Sequence, residues 1–409
     1  MKKSYLKISG ALLVMMLAFT ACEDETYNIP EVSGPADVIS VENGVQDQSV
    51  DFTVSIDPGL TATYSATGTG VTVLNGSGNI EGSTVTINFN AGQEAGAASI
   101  TLSVTDSEGQ TDDATAIINV GDVVTQVIVE ANVTDDTTWT SDKVYVLAGR
   151  ITVIDGVTLT IEPGTIIKGQ AGTGANATAL LVARGAKLMA EGTADAPIIF
   201  TSVADELEPE HIAAGNFGSP NLDPDIDGLW GGVLILGKAK ISASNDDGDL
   251  SEIQIEGIPT SDPNGLYGGN DDDDNSGVIK YISIRHGGTN IGAGNEINGL
   301  TLGGVGRGTV IENVEVISNQ DDGIEWFGGT VDITNAVVWN VNDDAIDADQ
   351  SWAGTLDNFV VIAPGDHNFE LDGPEGSYAA GYNIKNGYVI ANDPDLGRNS
   401  SDLINTDDN

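Results

Sequence analysis

A single cysteine in 409 residues rules out a disulfide framework, so the fold must be held by its core. Bases are scarce as well. Fifteen Lys and Arg stand against 62 Asp and Glu, for a formal net charge of −47. A surface of that sign repels nucleic acid and anionic lipid head groups and attracts divalent cations. One Cys and 3 His, scattered along the chain, give no transition-metal signature. Aromatics are only 5% of the residues. No apolar run reaches the ~20 residues that a membrane-spanning helix needs, and no segment has the periodicity of an amphipathic helix. With 40% hydrophobic residues, however, the chain is not a disordered acidic polymer.

The first residues read as an address. Lys2, Lys3 and Lys7 form a positive region ahead of the apolar run ISGALLVMMLAF, which ends at Phe19. Phe19-Thr20-Ala21-Cys22 follows, and the one cysteine of the chain sits at this boundary. The four residues resemble a lipobox, although Phe19 departs from the usual Leu. The resemblance implies cleavage after residue 21 and acylation of Cys22, a membrane partner through lipid. Glu23-Asp24-Glu25 come next and resemble the acidic export tract of surface-exposed lipoproteins of the Bacteroidota. The implied location is the outer membrane, facing the cell exterior. Residues 1–21 are then a signal peptide and 22–33 a polar tether.

From residue 34 to 122 the apolar pattern has period 2, as in Val50/Phe52/Val54, Ile100/Leu102/Val104 and Ala116/Ile118/Val120. Turn residues such as Asp57-Pro58-Gly59 and Asn75-Gly76 separate the runs. This pattern predicts a β-sandwich. Its last stretch, ITLSVTDSEGQTDDATAIINV, resembles the final hairpin of bacterial immunoglobulin-like modules, and a spacer role is expected of it.

Residues 125–409 carry a repeat instead. Asn298-Gly299-Leu300-Thr301 aligns with Asp322-Gly323-Ile324-Glu325, Asp344-Ala345-Ile346-Asp347 and His367-Asn368-Phe369-Glu370. A second column, Asn313-Val314, Asn335-Ala336 and Asn358-Phe359, keeps the same spacing. One short unit of about 22 residues, without helices, predicts stacked coils of a parallel β-helix. The segments WTSDKVYVLAGRITVIDGVTLTIEPGTIIKG, GLWGGVLILGKAKI, YISIRHGGTNIGAGNEINGLTLGGVGRGT and DDGIEWFGGTV resemble Bacteroidota right-handed β-helix lipoproteins of pectin-lyase-like fold. The expected fold is therefore all-β, an immunoglobulin-like sandwich followed by a right-handed parallel β-helix. The last residues, SSDLINTDDN, look like the start of a coil, so an open sheet edge is expected there and the chain reads as a fragment.

The repeat register stacks acids. If Ile324, Ile346 and Phe369 point inward, Glu325, Asp347 and Glu370 point outward one above another, with Asp349 and Asp372 two residues on. Coils ~4.8 Å apart bring these like charges together. No Lys or Arg occurs between Arg307 and Lys385 to neutralise them. Calcium, which accepts 6–8 oxygen ligands, is the expected ion for Glu325, Asp347, Asp349, Glu370 and Asp372. The alternative is a solvated face. The Asp271–Asp274 run carries the same two readings.

A second chemistry follows from the polygalacturonases, which share the fold. Their Asn-Thr-Asp, Asp-Asp and Gly-His-Gly turns match Gln320-Asp321-Asp322, Asp343-Asp344 and Asp366-His367-Asn368. The resemblance makes Asp343 or Asp344 the general acid and Asp322 its partner, beside His367, with Arg398 as a clamp for a substrate carboxylate. The Asn-Thr pair, both glycines and the Arg-Ile-Lys of that family are missing. Arg285 and Arg307, the bases a lyase would use, fall outside the acidic register. His286 reads as a turn or packing residue and Trp326 as core. Phe327, Trp339 and Trp352 are candidate sugar platforms. The leading expectation is a non-catalytic surface protein that binds or scaffolds, with a glycan or cell-surface partner. The alternative is a polysaccharide hydrolase or lyase.

Overall fold

The computed structural model describes residues 27–36, 38–121, 126–291, 297–393 and 398–406, with the side chains of 175, 393, 398 and 399 also outside the description. Cys22 and the segment around it lie outside the described residues. No helix among the described residues is long and apolar enough to cross a membrane. The chain divides into two compact units, Met1–Val123 and Val124–Asn409.

The first unit is a sandwich of a four-stranded and a five-stranded sheet. The period-2 pattern is its cause. Val50, Phe52, Val54, Ile87, Phe89, Ile100, Leu102, Val104 and Ile118 are buried between the sheets, while their neighbours face water. The chain enters this sandwich earlier than the tether expectation had it. Glu31–Ser33 pairs antiparallel with Gln48–Ser55, and Asn28 donates its backbone N–H to Asp57 at 2.7 Å. Val32 is the reason, since it packs on the core.

The second unit is a parallel β-helix. One sheet of eight strands stacks Arg150–Val153, Ala179–Val182, Val233–Leu236, Leu300–Gly303, Ile324–Phe327, Ile346–Asp349, His367–Leu371 and Asp402–Asn405. The other sheet has twelve. Its early coils run in two separate ladders. Both join at Gly277–Arg285, which pairs with Lys187–Glu191 through its first half and Ile198–Ser202 through its second. Val310–Ile317, Ile333–Trp339, Thr355–Ile362 and Asn383–Ile390 then follow in register.

A single left-handed residue explains this fusion. Tyr281, Asn313, Asn335, Asn358 and Asn386 have φ between 48° and 63°, and each bends a continuous strand where the early coils need a turn. Asn tolerates that conformation better than other side chains with a Cβ. A second corner uses His286, Ser318, Asn340 and Ala363 in the same way, so His286 is a buried turn residue as expected. The interior is a continuous column of Ile, Val and Leu. Trp326 stacks on Trp352 at 4.4 Å, and Trp352 on Tyr382 at 5.4 Å.

Two insertions dress the outside. Residues 203–229 leave the coil before Val233, and residues 240–276 leave it before the strand Gly277–Arg285. In the second, Ile241, Ile255, Ile258 and Tyr267 pack on the outward faces of Leu181, Leu234, Leu236 and Phe327. Asn383–Ile390 and Asp402–Asn405 are the last strands of the two sheets.

Candidate functional site

The eight-stranded sheet alternates. Leu300, Ile324, Trp326, Ile346, Ala348 and Phe369 enter the helix interior. Their neighbours face out. In-register pairing places Thr301 beside Glu325, Glu325 beside Asp347, and Asp347 beside Glu370. The strand neighbour Phe327 pairs with Asp349. The outward face therefore changes character along the stack: apolar where the 240–276 insertion covers it, acidic in the later coils.

These outward acids are not a solvated face. Glu325 is 7% exposed, Asp347 8%, Asp322 8% and Asp344 2%. The turn before each strand supplies the reason. Asp322 accepts the backbone N–H of Asp344 at 2.9 Å, and Asp344 accepts that of His367 at 2.5 Å. Each carboxylate is thus drawn under the next coil. Asn298, one coil earlier in the same column, donates its amide to Glu325. Asn405 donates to Glu370 at 3.0 Å.

Two residue sets that the sequence kept apart are merged. Carboxylate oxygens of Asp322, Glu325 and Asp347 lie within 4.8 Å of one another, as do those of Asp321, Asp322 and Asp343. Asp344, His367 and Glu370 form a third group of that size. His367 Nδ1 lies 2.9 Å from Asp344 Oδ1, and its Nε2 lies 3.4 Å from Asp366. Asp372 and Glu375 face Asp349 at the edge of the cluster. Arg398, expected as a clamp, has its side chain outside the described residues. Among the described ion pairs, none sets a Lys or Arg on Asp322, Glu325, Asp344, Asp347, Asp349 or Glu370.

Burial and mutual repulsion dominate the electrostatics. Loss of water raises Asp322, Glu325 and Asp347 well above the usual carboxylate range, and their acidic neighbours raise them further. Burial, with a hydrogen bond that protonated Asp344 donates to Glu370, pushes Asp344 up to about 9. Burial and the charge of Asp372 push Asp349 to about 7. Such a cluster holds protons or a cation.

The candidate platforms divide. Trp352 is wholly buried in the helix interior, and Phe327 lies under the insertion. Neither can stack on a sugar, because Trp326 and Tyr382 stack on Trp352 and Tyr267 covers Phe327. Trp339 alone of the three is part-exposed, and it sits on the other sheet. The Asp271–Asp274 run is mixed: Asp272 accepts the Lys240 N–H at 3.1 Å and Asp274 is buried, while Asp271 and Asp273 are exposed, the latter 3.6 Å from Arg307. Sequence reasoning missed Asn298, Gln350 and Tyr267. Asn298 was visible as the first member of the Asp322/Asp344/His367 column. Tyr267 donates to Gln350 at 2.9 Å, which donates to Glu375 at 3.1 Å, a chain no local pattern announces.

No curated protein matches the chain. Among solved structures, the Yersinia enterocolitica family 28 exopolygalacturonase aligns at 10% identity over 89% of this chain and 69% of that one, with a TM-score of 0.14, too low to carry any argument. The sequence itself matches the pectate-lyase-like β-helix domain over residues 131–392, the span in which the stacked coils and their acidic column lie, and the chain belongs to that family.

Proposed function

We propose that the protein is a calcium-binding, non-catalytic scaffold displayed on the outer membrane, anchored by lipid on Cys22 and facing the exterior, with a glycan as its ligand. The observation that carries the calcium reading is the triad of Asp322, Glu325 and Asp347. Three carboxylates converge within 4.8 Å, and Asp347 Oδ1 is buried with no hydrogen-bond partner. A buried acceptor without a donor is costly. A hard cation with oxygen ligands removes that cost and the repulsion together. Asn298 borders the triad through Glu325, and its Oδ1 also lacks a partner. Calcium held there would supply charge neutralisation and would lock three consecutive coils to one another.

The burial of the acids supports a structural rather than a catalytic role, since a general acid must reach a glycosidic oxygen. The N-terminal sandwich fits a spacer of immunoglobulin-like type between anchor and β-helix. The net charge disfavours nucleic acid as a partner. The address rests on Lys2, Lys3, Lys7 and the Phe19–Cys22 motif. A hydrolase is the second reading, and one observation favours it: Asp344 keeps its proton to about 9 and contacts His367.

The test is thermal unfolding with calcium against sodium at matched ionic strength, in the wild type and in Glu325→Gln/Asp347→Asn. Calcium should raise the wild-type melting temperature well beyond the sodium control. The double variant should lose that excess. Equal curves in both salts would reduce the triad to protonated acids. Reducing ends released from polysaccharide, and lost in Asp344→Asn, would replace the scaffold reading by the hydrolase.

A further inference from the structure

A groove of about 760 Å³ opens on the outer face of the twelve-stranded sheet, away from the acidic column. Register builds its floor. Ser283, Glu315, Val337 and Val360 form one outward column, and Arg285, Ile317 and Trp339 the next. The 203–229 insertion supplies the wall, with Phe217, Leu222 and Pro224. The asparagines at 313, 335 and 358 form the rim.

The wall is pinned in place. Asp205 accepts Ser219 Oγ at 2.8 Å, and Asn221 donates to the Ala204 carbonyl at 2.9 Å. Arg285 donates to the Phe217 carbonyl, and Ser318 and Asn340 both donate to that of Pro224. The groove is therefore preformed, as ligand sites usually are.

Its chemistry is amphiphilic in a specific way. Trp339 offers an indole face, while its Nε1–H is buried and has no acceptor. A ligand with an apolar face matches the part of the indole that is exposed. The base of the groove is already committed. Arg285 spends its donors on Ser283, on Phe217 and on Glu315, the last at 2.9 Å. Burial lowers His286, whose Nδ1 contacts the Ile226 carbonyl, so it adds no charge at neutral pH. No cation is left for a uronate carboxylate, and the chain as a whole carries −47.

We infer that this groove binds a neutral oligosaccharide, with one pyranose ring stacked on Trp339, and discriminates against polyuronates. The inference rests on the reading of the protein as a glycan binder and adds the place and the charge class.

Tryptophan fluorescence gives a clean readout. Trp230, Trp326 and Trp352 are 0% exposed and Trp139 is 3% exposed, which leaves Trp339 as the quenchable indole. In the full chain, neutral xylo-, manno- or cello-oligosaccharides are titrated against oligogalacturonides of equal length, with acrylamide as quencher. At least one neutral series should protect the emission, and oligogalacturonides should not. Trp339→Ala should weaken binding at least tenfold, Trp339→Phe less. Val360→Gln, which adds bulk on the floor at an outward position, should weaken it independently should Trp339→Ala not fold. Glycan binding that ignores Trp339 and Val360 would overturn the groove and leave the glycan reading standing. Preference for oligogalacturonides would overturn the charge class. Failure to bind any glycan would overturn the glycan reading and the groove with it.

Discussion

On the twelve-stranded sheet one column of side chains that stack from coil to coil is made of asparagines. Asn335 donates to Asn313 at 2.9 Å, and Asn358 to Asn335 at 2.6 Å. On the eight-stranded sheet one is made of carboxylates, Glu325, Asp347 and Glu370. Both columns repeat one residue position at the spacing of parallel strands. An amide carries a donor and an acceptor, so an asparagine column satisfies itself indefinitely. A carboxylate only accepts, so an acidic column needs something from outside: a proton or a cation. The same repeat thus yields one ladder that is complete and one that is addressed to a ligand.

The largest expected effect tests that difference directly. In chelator, the acids of the eight-stranded sheet hold protons in the folded chain that the unfolded chain gives up near pH 4. Stability should be full below that value and fall as pH rises, through about 7 for Asp349 and about 9 for Asp344. Asp349 alone accounts for a loss on the order of 4 kcal/mol. Calcium should flatten the slope by replacing the protons. Melting curves from pH 4 to 9, with chelator and with calcium, measure it. A chelated protein whose stability is level over that range would mean that the acids are solvated after all.

Much of this was readable from the sequence, because a β-helix makes register local. The columns Asn313/Asn335/Asn358 and Glu325/Asp347/Glu370 follow from spacing alone, as do the inward Ile324, Ile346 and Phe369. What covers the columns was not readable. The 240–276 insertion hides Phe327, and no periodicity says where an insertion folds back. The depth of the acids was hidden for another reason: Asp322 and Asp344 are buried by accepting N–H groups of the next coil, a contact set by turn geometry rather than by residue type. The Trp339 groove needs Phe217 and Pro224, more than a hundred residues away in sequence, so nothing local pointed to it.

A smaller effect should change sign with the ion. Without calcium, Asp347→Asn replaces an acid that must take up a proton to fold at neutral pH, and should stabilise by about 1–2 kcal/mol. With calcium it removes a ligand, and should destabilise by a similar amount. Denaturant midpoints in the two buffers check it. A variant that shifts the same way in both would show that Asp347 does not sense the ion.

The asparagine ladder should respond to substitution through backbone conformation first. Asn335 sits at φ 63° and bonds both neighbours. Asn335→Ala loses the bonds and strains the corner, for about 2–3 kcal/mol. Asn335→Gly loses the bonds but relieves the corner, and should cost about 1 kcal/mol less. Neither variant should alter the calcium response. If Ala and Gly are equal, the ladder bonds matter and the left-handed bend does not.

The smallest effect is expected where this sheet does carry charge. Lys385 lies 3.4 Å from Asp357, and their side chains are 54% and 34% exposed. Asp357 is held below its usual range, first by a hydrogen bond from Asn386 and then by Lys385. An ion pair in water gains little, because solvent screens it and two long side chains lose freedom to form it. Lys385→Ala should therefore cost at most about 0.5 kcal/mol, and less in high salt. Asn386→Ala, which removes a bond and leaves φ at 59° without a tolerant residue, should cost more. Unfolding of both variants at low and high salt separates the two contributions. A salt-sensitive loss of 2 kcal/mol for Lys385→Ala would mean that this pair is as enclosed as the acids of the other sheet, and the contrast between the two columns would fail.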